Sequence, residues 1–132
     1  HTQRRRQRQM CIRDSAAAAL IELGVQVMVS PTIGCDLLAY CGKHFWRIEV
    51  KSTKKPEAGK DKVYRFNTTR GSAQKAALDQ TECDIVALVS IERRRVFFRH
   101  VNTITSKSTR LSVNRFIEGC ERESWKESTK WK

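Results

Sequence analysis

Asp36, Glu49 and Lys51 are the residues in this chain whose types and spacing could do chemistry. They flank Cys41-Gly42-Lys43-His44, in which Gly42-Lys43 reads as a two-residue hairpin loop with glycine where a type II′ turn wants it. Facing positions in such a hairpin sum to 85, which sets Cys41 against His44, Tyr40 against Phe45 and Asp36 against Glu49. Side chains alternate faces along a strand. Leu37, Ala39, Trp46, Ile48 and Val50 then share an apolar face that fits a core, and Asp36, Leu38, Tyr40, Phe45, Arg47, Glu49 and Lys51 share the other. Two carboxylates opposed across a strand pair, with Cβ atoms about 5 Å apart, repel and need compensation. A hard divalent cation such as Mg²⁺ supplies it through oxygen ligands and retained waters. Such an ion polarises a phosphoryl oxygen and acidifies a bound water, while a nearby lysine orients that water or stabilises developing charge. The chemistry is phosphodiester hydrolysis without a cysteine, serine or histidine nucleophile. The competing reading is an ordinary solvated strand face, because Asp, Glu and Lys are common surface residues.

The charge that follows the motif narrows the choice. Residues 51–70 carry seven basic side chains against Glu57 and Asp61, a net +5. Lys54, Lys55, Lys60, Lys62, Arg65 and Arg70 stand where a phosphate backbone would be gripped. The whole chain has 132 residues, with 26 Lys plus Arg against 14 Asp plus Glu, a formal +12. That length fits one domain, and 39% hydrophobic residues suit a globular core rather than a disordered tail. No apolar run is long enough for a membrane span. A basic chain seeks a polyanion, and charge placed beside facing carboxylates favours DNA backbone over a membrane surface.

Residues 1–14 read separately, as a non-native or disordered leader. RRRQRQMCIRDS resembles translated sequencing adapter; a basic nucleic-acid-binding arm is the other reading. Without its five arginines and one aspartate the chain is still +8. The domain is expected over 15–123, with a polar tail over 124–132. Cys11, Cys35, Cys41, Cys83 and Cys120 form no CxxC pair, so they read as reduced, mostly buried residues of a cytoplasmic protein.

The elements that must position the motif are read from periodicity and punctuation. A helix is expected over 15–23, capped by Ser15 and stopped by Gly24. Strands are expected over 25–29, 36–40 and 45–51. A loop or arm follows over 54–71, with 63–66 extended, and then a short helix over 72–80. The apolar run 83–91 reads as a buried strand, with 95–101 as its hairpin partner. Val113, Phe116, Ile117 and Cys120 fall at i, i+3, i+4, i+7, the pattern of an amphipathic helix. His44 and His100 lack a partner at a telling spacing. Arg93, Arg94 and Arg95 suit a solvated turn, with DNA contact as the alternative, and Trp46 suits the core.

GCDLLAYCGKHFWRIEVKSTKK resembles the PD-(D/E)xK nuclease superfamily. Asp36 falls on the motif aspartate, Gly34-Cys35 replaces the usual proline-bearing lead-in, and Glu49-Val50-Lys51 matches ExK. The wider pattern, with R-I-E-V-K-S and a later C-D-I-V-A, is most similar to the group I intron-associated endonucleases, and archaeal-type Holliday junction resolvases come next. The resemblance implies a restriction-endonuclease-like αβββαβ core, an α/β fold with a mixed central β-sheet flanked by helices. It implies a Mg²⁺-dependent DNA endonuclease, with Mn²⁺ as a substitute, acting on double-stranded DNA as a homodimer or higher homo-oligomer. Asp36, Glu49 and the Val50 carbonyl would hold the metal, and Lys51 would position the attacking water. Glu22 on the first helix matches an extra metal-associated glutamate of some relatives. Gln74 and Lys75 lie where some relatives carry a polar active-site residue, and no motif assigns either. A non-catalytic nucleic-acid-binding module with this fold is the remaining alternative.

Overall fold

The computed structural model describes residues 2–30, 35–60, 62–70 and 76–131, and their side chains from residue 11 onward. Its elements are α1 (Thr2–Glu22), β1 (Gln26–Val29), β2 (Leu37–Cys41), β3 (His44–Thr53), β4 (Val63–Asn67), β5 (Ile85–Ser90), β6 (Arg95–His100), β7 (Ser108–Ser112) and α2 (Cys120–Ser128). Five strands form a central mixed sheet in the order β1-β2-β3-β5-β6, and β4 pairs with β7 in a separate ribbon. All neighbours in the sheet are antiparallel except β3 and β5. This is the mixed α/β class the sequence implied. Among the described residues, the crossover from β3 to β5 carries β4 and no helix. Residues 71–75, including Gln74 and Lys75, lie outside the described residues, and 76–80 are not helical, so that part of the expected helix over 72–80 is corrected.

Strand alternation splits the interior into two cores. Trp46, Ile48, Val50, Ile85, Ala87 and Val89 pack with Ile12, Ala16 and Leu20 of α1 and Trp125 of α2. Val86 and Leu88 point the opposite way and pack with Tyr64 and Phe66 of β4, Leu111 of β7 and Phe116. A strand buried on both faces reads as a near-continuous apolar run, as β5 does up to Ser90, whose buried hydroxyl donates to Tyr64 Oη at 2.9 Å. The segment expected to be an arm therefore includes a covering layer: one side of β4 is core, the other exposed.

Helix α1 begins well before Ser15, so that serine does not cap it. Its hydroxyl donates to the Cys11 carbonyl at 3.1 Å, one turn back. The end does match expectation. Gly24 at φ +83° lets its own N–H reach Ile21 O at 2.9 Å and Val25 N–H reach Leu20 O at 3.0 Å, a Schellman closure sealed by buried Leu20 and Val25.

The expected helix over 113–120 is a correction. Val113–Arg115 is a single 3₁₀ turn, and the α-helix starts at Cys120. Residues at i and i+3 eclipse on a 3₁₀ turn, so Val113 and Phe116 reach the core without α geometry, while Ile117 is exposed. The apolar positions of that pattern are thus mostly internal. The supposed polar tail belongs to the domain: Trp125 sits 5.2 Å from the Phe98 ring in edge contact. The Glu121 carboxylate and the Ser124 hydroxyl accept the outer N–H groups of Val96 and Phe98 at 3.0 and 2.9 Å. Helix α2 thereby closes an edge that would otherwise expose strand donors. Only Cys83 and Cys120 among the free cysteines are buried. No helix among the described residues is long and apolar enough to cross a membrane.

Candidate active site

Hairpin β2–β3 positions the candidate residues. Gly42 takes φ +66° while Lys43 keeps a negative φ, the sign pattern of a type II′ turn. The ladder runs from Cys41↔His44 to Leu37↔Ile48 in the expected register. The next expected pair, Asp36 with Glu49, is displaced. Asp36 N–H donates to the carbonyl of Ile48 at 2.8 Å, although Leu37 is already the ladder partner of Ile48. Two residues thus face one, which is a β-bulge that bends the strand and re-aims a side chain. The Val50 N–H is taken by the Asp36 carboxylate, at 2.8 Å. Aspartate suits this point because its short side chain replaces a strand carbonyl.

The bulge still brings the Asp36 and Glu49 carboxyls together. Burial, then the charge of Asp36, raise the Glu49 pKa to about 7, against the opposing pull of Lys51. The Lys51 ammonium lies 3.6 Å from the Glu49 carboxylate, with 25% and 21% of their side chains exposed. A buried carboxyl that keeps its proton to near neutrality beside a second acid suits a cation, because an ion can replace that proton. Asp36, Glu49 and the adjacent Val50 carbonyl are oxygen donors of the kind Mg²⁺ takes. No group of three His, Cys, Asp or Glu able to hold an ion gathers among the described residues, and Glu22 is exposed at the end of α1. Nearby Cys83 is inert as a nucleophile: burial, then the Glu49 charge, push its thiol far up.

The basic residues divide. Lys54, Lys55, Lys60 and Lys62 are exposed beyond β3, and Arg65 is exposed on the outer face of the ribbon opposite Arg110. Arg70 is committed to Asp79 at 3.2 Å and Glu82 at 3.6 Å. Arg110, on a strand the sequence reading missed, grips Glu57 through two 3.0 Å bonds. Its signal in the sequence was only the weak alternation of Thr109 and Leu111 with Ser108, Arg110 and Ser112, which the fold turns into alternating burial. His44 is exposed, and buried His100 accepts the Asn102 N–H through Nδ1 at 3.1 Å as a turn cap. Arg95 pairs with Glu121 at 3.3 Å, and Trp46 is core as expected.

No family model matches the chain. No curated protein sequence matches it. Among solved structures it is similar to that of a bacterial homing endonuclease, I-Ssp6803I, with a TM-score of 0.61 and 17% identity over 76% of this chain and 70% of that one. At that identity the likeness speaks for architecture: this chain has a nuclease-like fold, and its paired carboxylates lie on the β2–β3 hairpin of that fold.

Proposed function

We propose that this chain is a metal-dependent DNA endonuclease of PD-(D/E)xK type, hydrolysing phosphodiester bonds at Asp36, Glu49 and Lys51. The observation that carries the reading is the convergence of the Asp36 and Glu49 carboxyls beside Lys51, on a fold similar to that of a homing endonuclease. Asp36, Glu49 and the Val50 carbonyl would hold Mg²⁺, or Mn²⁺ in its place. When bound, the ion supplies Lewis-acid polarisation of the phosphoryl oxygen and an acidified water. Lys51 orients that water and stabilises charge developing on the phosphate. The Val50 N–H fixes the Asp36 carboxylate, so the site is held by strand geometry rather than by a loose loop. Lys54, Lys55, Lys60, Lys62 and Arg65 grip the backbone of double-stranded DNA. The free cysteines suit a cytoplasmic setting, and cutting both strands suits a homodimer or higher assembly.

Incubating supercoiled plasmid and a four-way junction with the protein and Mg²⁺ tests this. Cleavage that EDTA stops and Asp36→Ala abolishes is expected; preference for the junction would select a resolvase. Equal cleavage by Asp36→Ala overturns the site. Salt-dependent binding without cleavage overturns the enzyme and leaves a binding module.

A further inference from the structure

Arg99 and Arg115 are two cations close enough for the charge of one to act on the other, and among the described residues no carboxylate forms an ion pair with either. Arg99 on β6 and Arg115 on the segment leading into α2 both line the open groove of about 910 Å³ between those elements, as does Arg122 of α2. Arg99 is half-buried, and its Nε donates to Thr103 Oγ1 at 3.2 Å. The Thr103 hydroxyl is itself held by the His100 carbonyl at 2.7 Å. Arg115 lies over the Phe97 ring, 5.0 Å from its centroid, a contact that fixes the guanidinium without occupying its N–H donors. Among the described residues neither arginine has an ion pair, whereas Arg47, Arg70, Arg95 and Arg110 all do. Burial, and then the charge of Arg115, lower the pKa of Arg99. The carboxylates on the groove, Glu118, Glu123 and Glu127, lie on the segment into α2 and on α2 itself.

We propose that Arg99 and Arg115 form a phosphate-binding clasp, separate from the Asp36–Glu49 site. Two planar forks with open donors match a tetrahedral oxyanion bidentately, and its multiple negative charge relieves their repulsion. The phosphate is either free or part of a nucleic-acid backbone. Arg99 shares a cross-strand row with Glu49, with Val86 between them, so the clasp and the cleavage site lie about 10 Å apart across the sheet. Only the backbone alternative rests on the nuclease reading.

Titrating inorganic phosphate into the full chain, followed by calorimetry and by NMR shifts against chloride at matched ionic strength, decides the proposal. Saturable binding is expected. Arg99→Gln and Arg115→Gln should each weaken it about tenfold, the loss of one charged partner. Arg99→Lys keeps the charge and loses the fork, so it should bind more weakly than wild type and more tightly than Arg99→Gln. Absence of phosphate binding, an equal response to chloride, or unchanged binding by the double variant overturns the clasp. A duplex oligonucleotide distinguishes the source. If the double variant flattens the salt dependence of duplex binding by about one ion per lost phosphate contact, the ligand is backbone; an unchanged slope in a double variant that has lost the wild type's phosphate binding selects free phosphate. Plasmid cleavage is scored separately, so its failure leaves the phosphate result standing.

Discussion

Arg47 and Glu49 project from the same face of β3, two residues apart, and each meets an acid from another segment. Around Arg47 every group is satisfied. Asp84 accepts its backbone N–H at 2.9 Å, its Nε at 3.2 Å and its Nη2 at 3.1 Å. Burial alone would raise the Asp84 pKa, and these bonds hold it low instead. The Asp84 N–H returns the bond to the Arg47 carbonyl at 2.8 Å, clasping β3 to the start of β5. Around Glu49 the same burial meets a second acid and one lysine at 3.6 Å, and the pKa rises to about 7. The first arrangement stores stability; the second leaves negative charge that an added cation would relieve. Sites that act on ligands tend to carry this kind of shortfall, because preorganised charge is useful only when something else completes it.

The largest expected effect breaks the second region alone. Asp36→Ala or Glu49→Ala should lower plasmid cleavage about a thousandfold or more, about 4 kcal/mol of transition-state stabilisation, with the circular-dichroism spectrum unchanged. Lys51→Ala should cost about a hundredfold or more, the range of a positioned proton-transfer group.

Next comes the opposite pH behaviour of the two acids. Folded Glu49 keeps its proton to about pH 7 and the unfolded chain releases it near 4.5, so its contribution is full below 4.5 and is lost as pH rises through 7. Asp84, held low, contributes above pH 3.8 and loses that as pH falls through its folded value. Without divalent ions, Glu49→Gln should therefore stabilise the fold at pH 8, by up to about 3 kcal/mol. Urea denaturation across pH 4 to 8 measures this, and a variant no more stable at pH 8 contradicts the strained-pair account.

Arg47→Ala should destabilise by about 1–3 kcal/mol, because it takes the two guanidinium donors and their charge from the half-buried Asp84 and leaves it only weaker neutral donors such as the backbone N–H. Denaturation at pH 7 should show that loss, with none of comparable size in Glu49→Ala; equal losses would erase the distinction between the regions. The smallest effect concerns the ion. If Mg²⁺ displaces the Glu49 proton, its apparent affinity should rise up to tenfold per pH unit below about 7 and level above it. Calorimetric titration at pH 6, 7 and 8 reads this, and a flat profile would mean that Glu49 is not a ligand.

The legible parts of the site were local. Gly42 reported the turn, and the turn reported which side chains share a face from Leu37 to Ile48. It did not report the bulge at Asp36, because a single extra residue leaves no mark on a two-residue period. The Arg47–Asp84 clasp was also hidden. Asp84 looked like the start of an apolar run, and its partner lies 37 positions away. Ser15 misled for a different reason: a serine caps a helix only where the helix begins, and here the chain is already helical before it.

By itself the sequence determined the hairpin register, the Gly24 stop of the first helix, the doubly buried β5 and the identity of the paired carboxylates. Each follows from steric preference or periodicity within a few residues. Tertiary structure alone decided the parallel pairing of β3 with β5, the union of β4 with β7 across the chain, and the seal of α2 on β6. Those contacts join segments far apart in sequence, where the gain comes from burying shared apolar surface and satisfying strand edges, and no local pattern records which distant partner does it. The charge balance at Glu49 belongs to both: its residue type was legible, and its affinity for a proton was settled only when folding placed Asp36 beside it and took most of the water away.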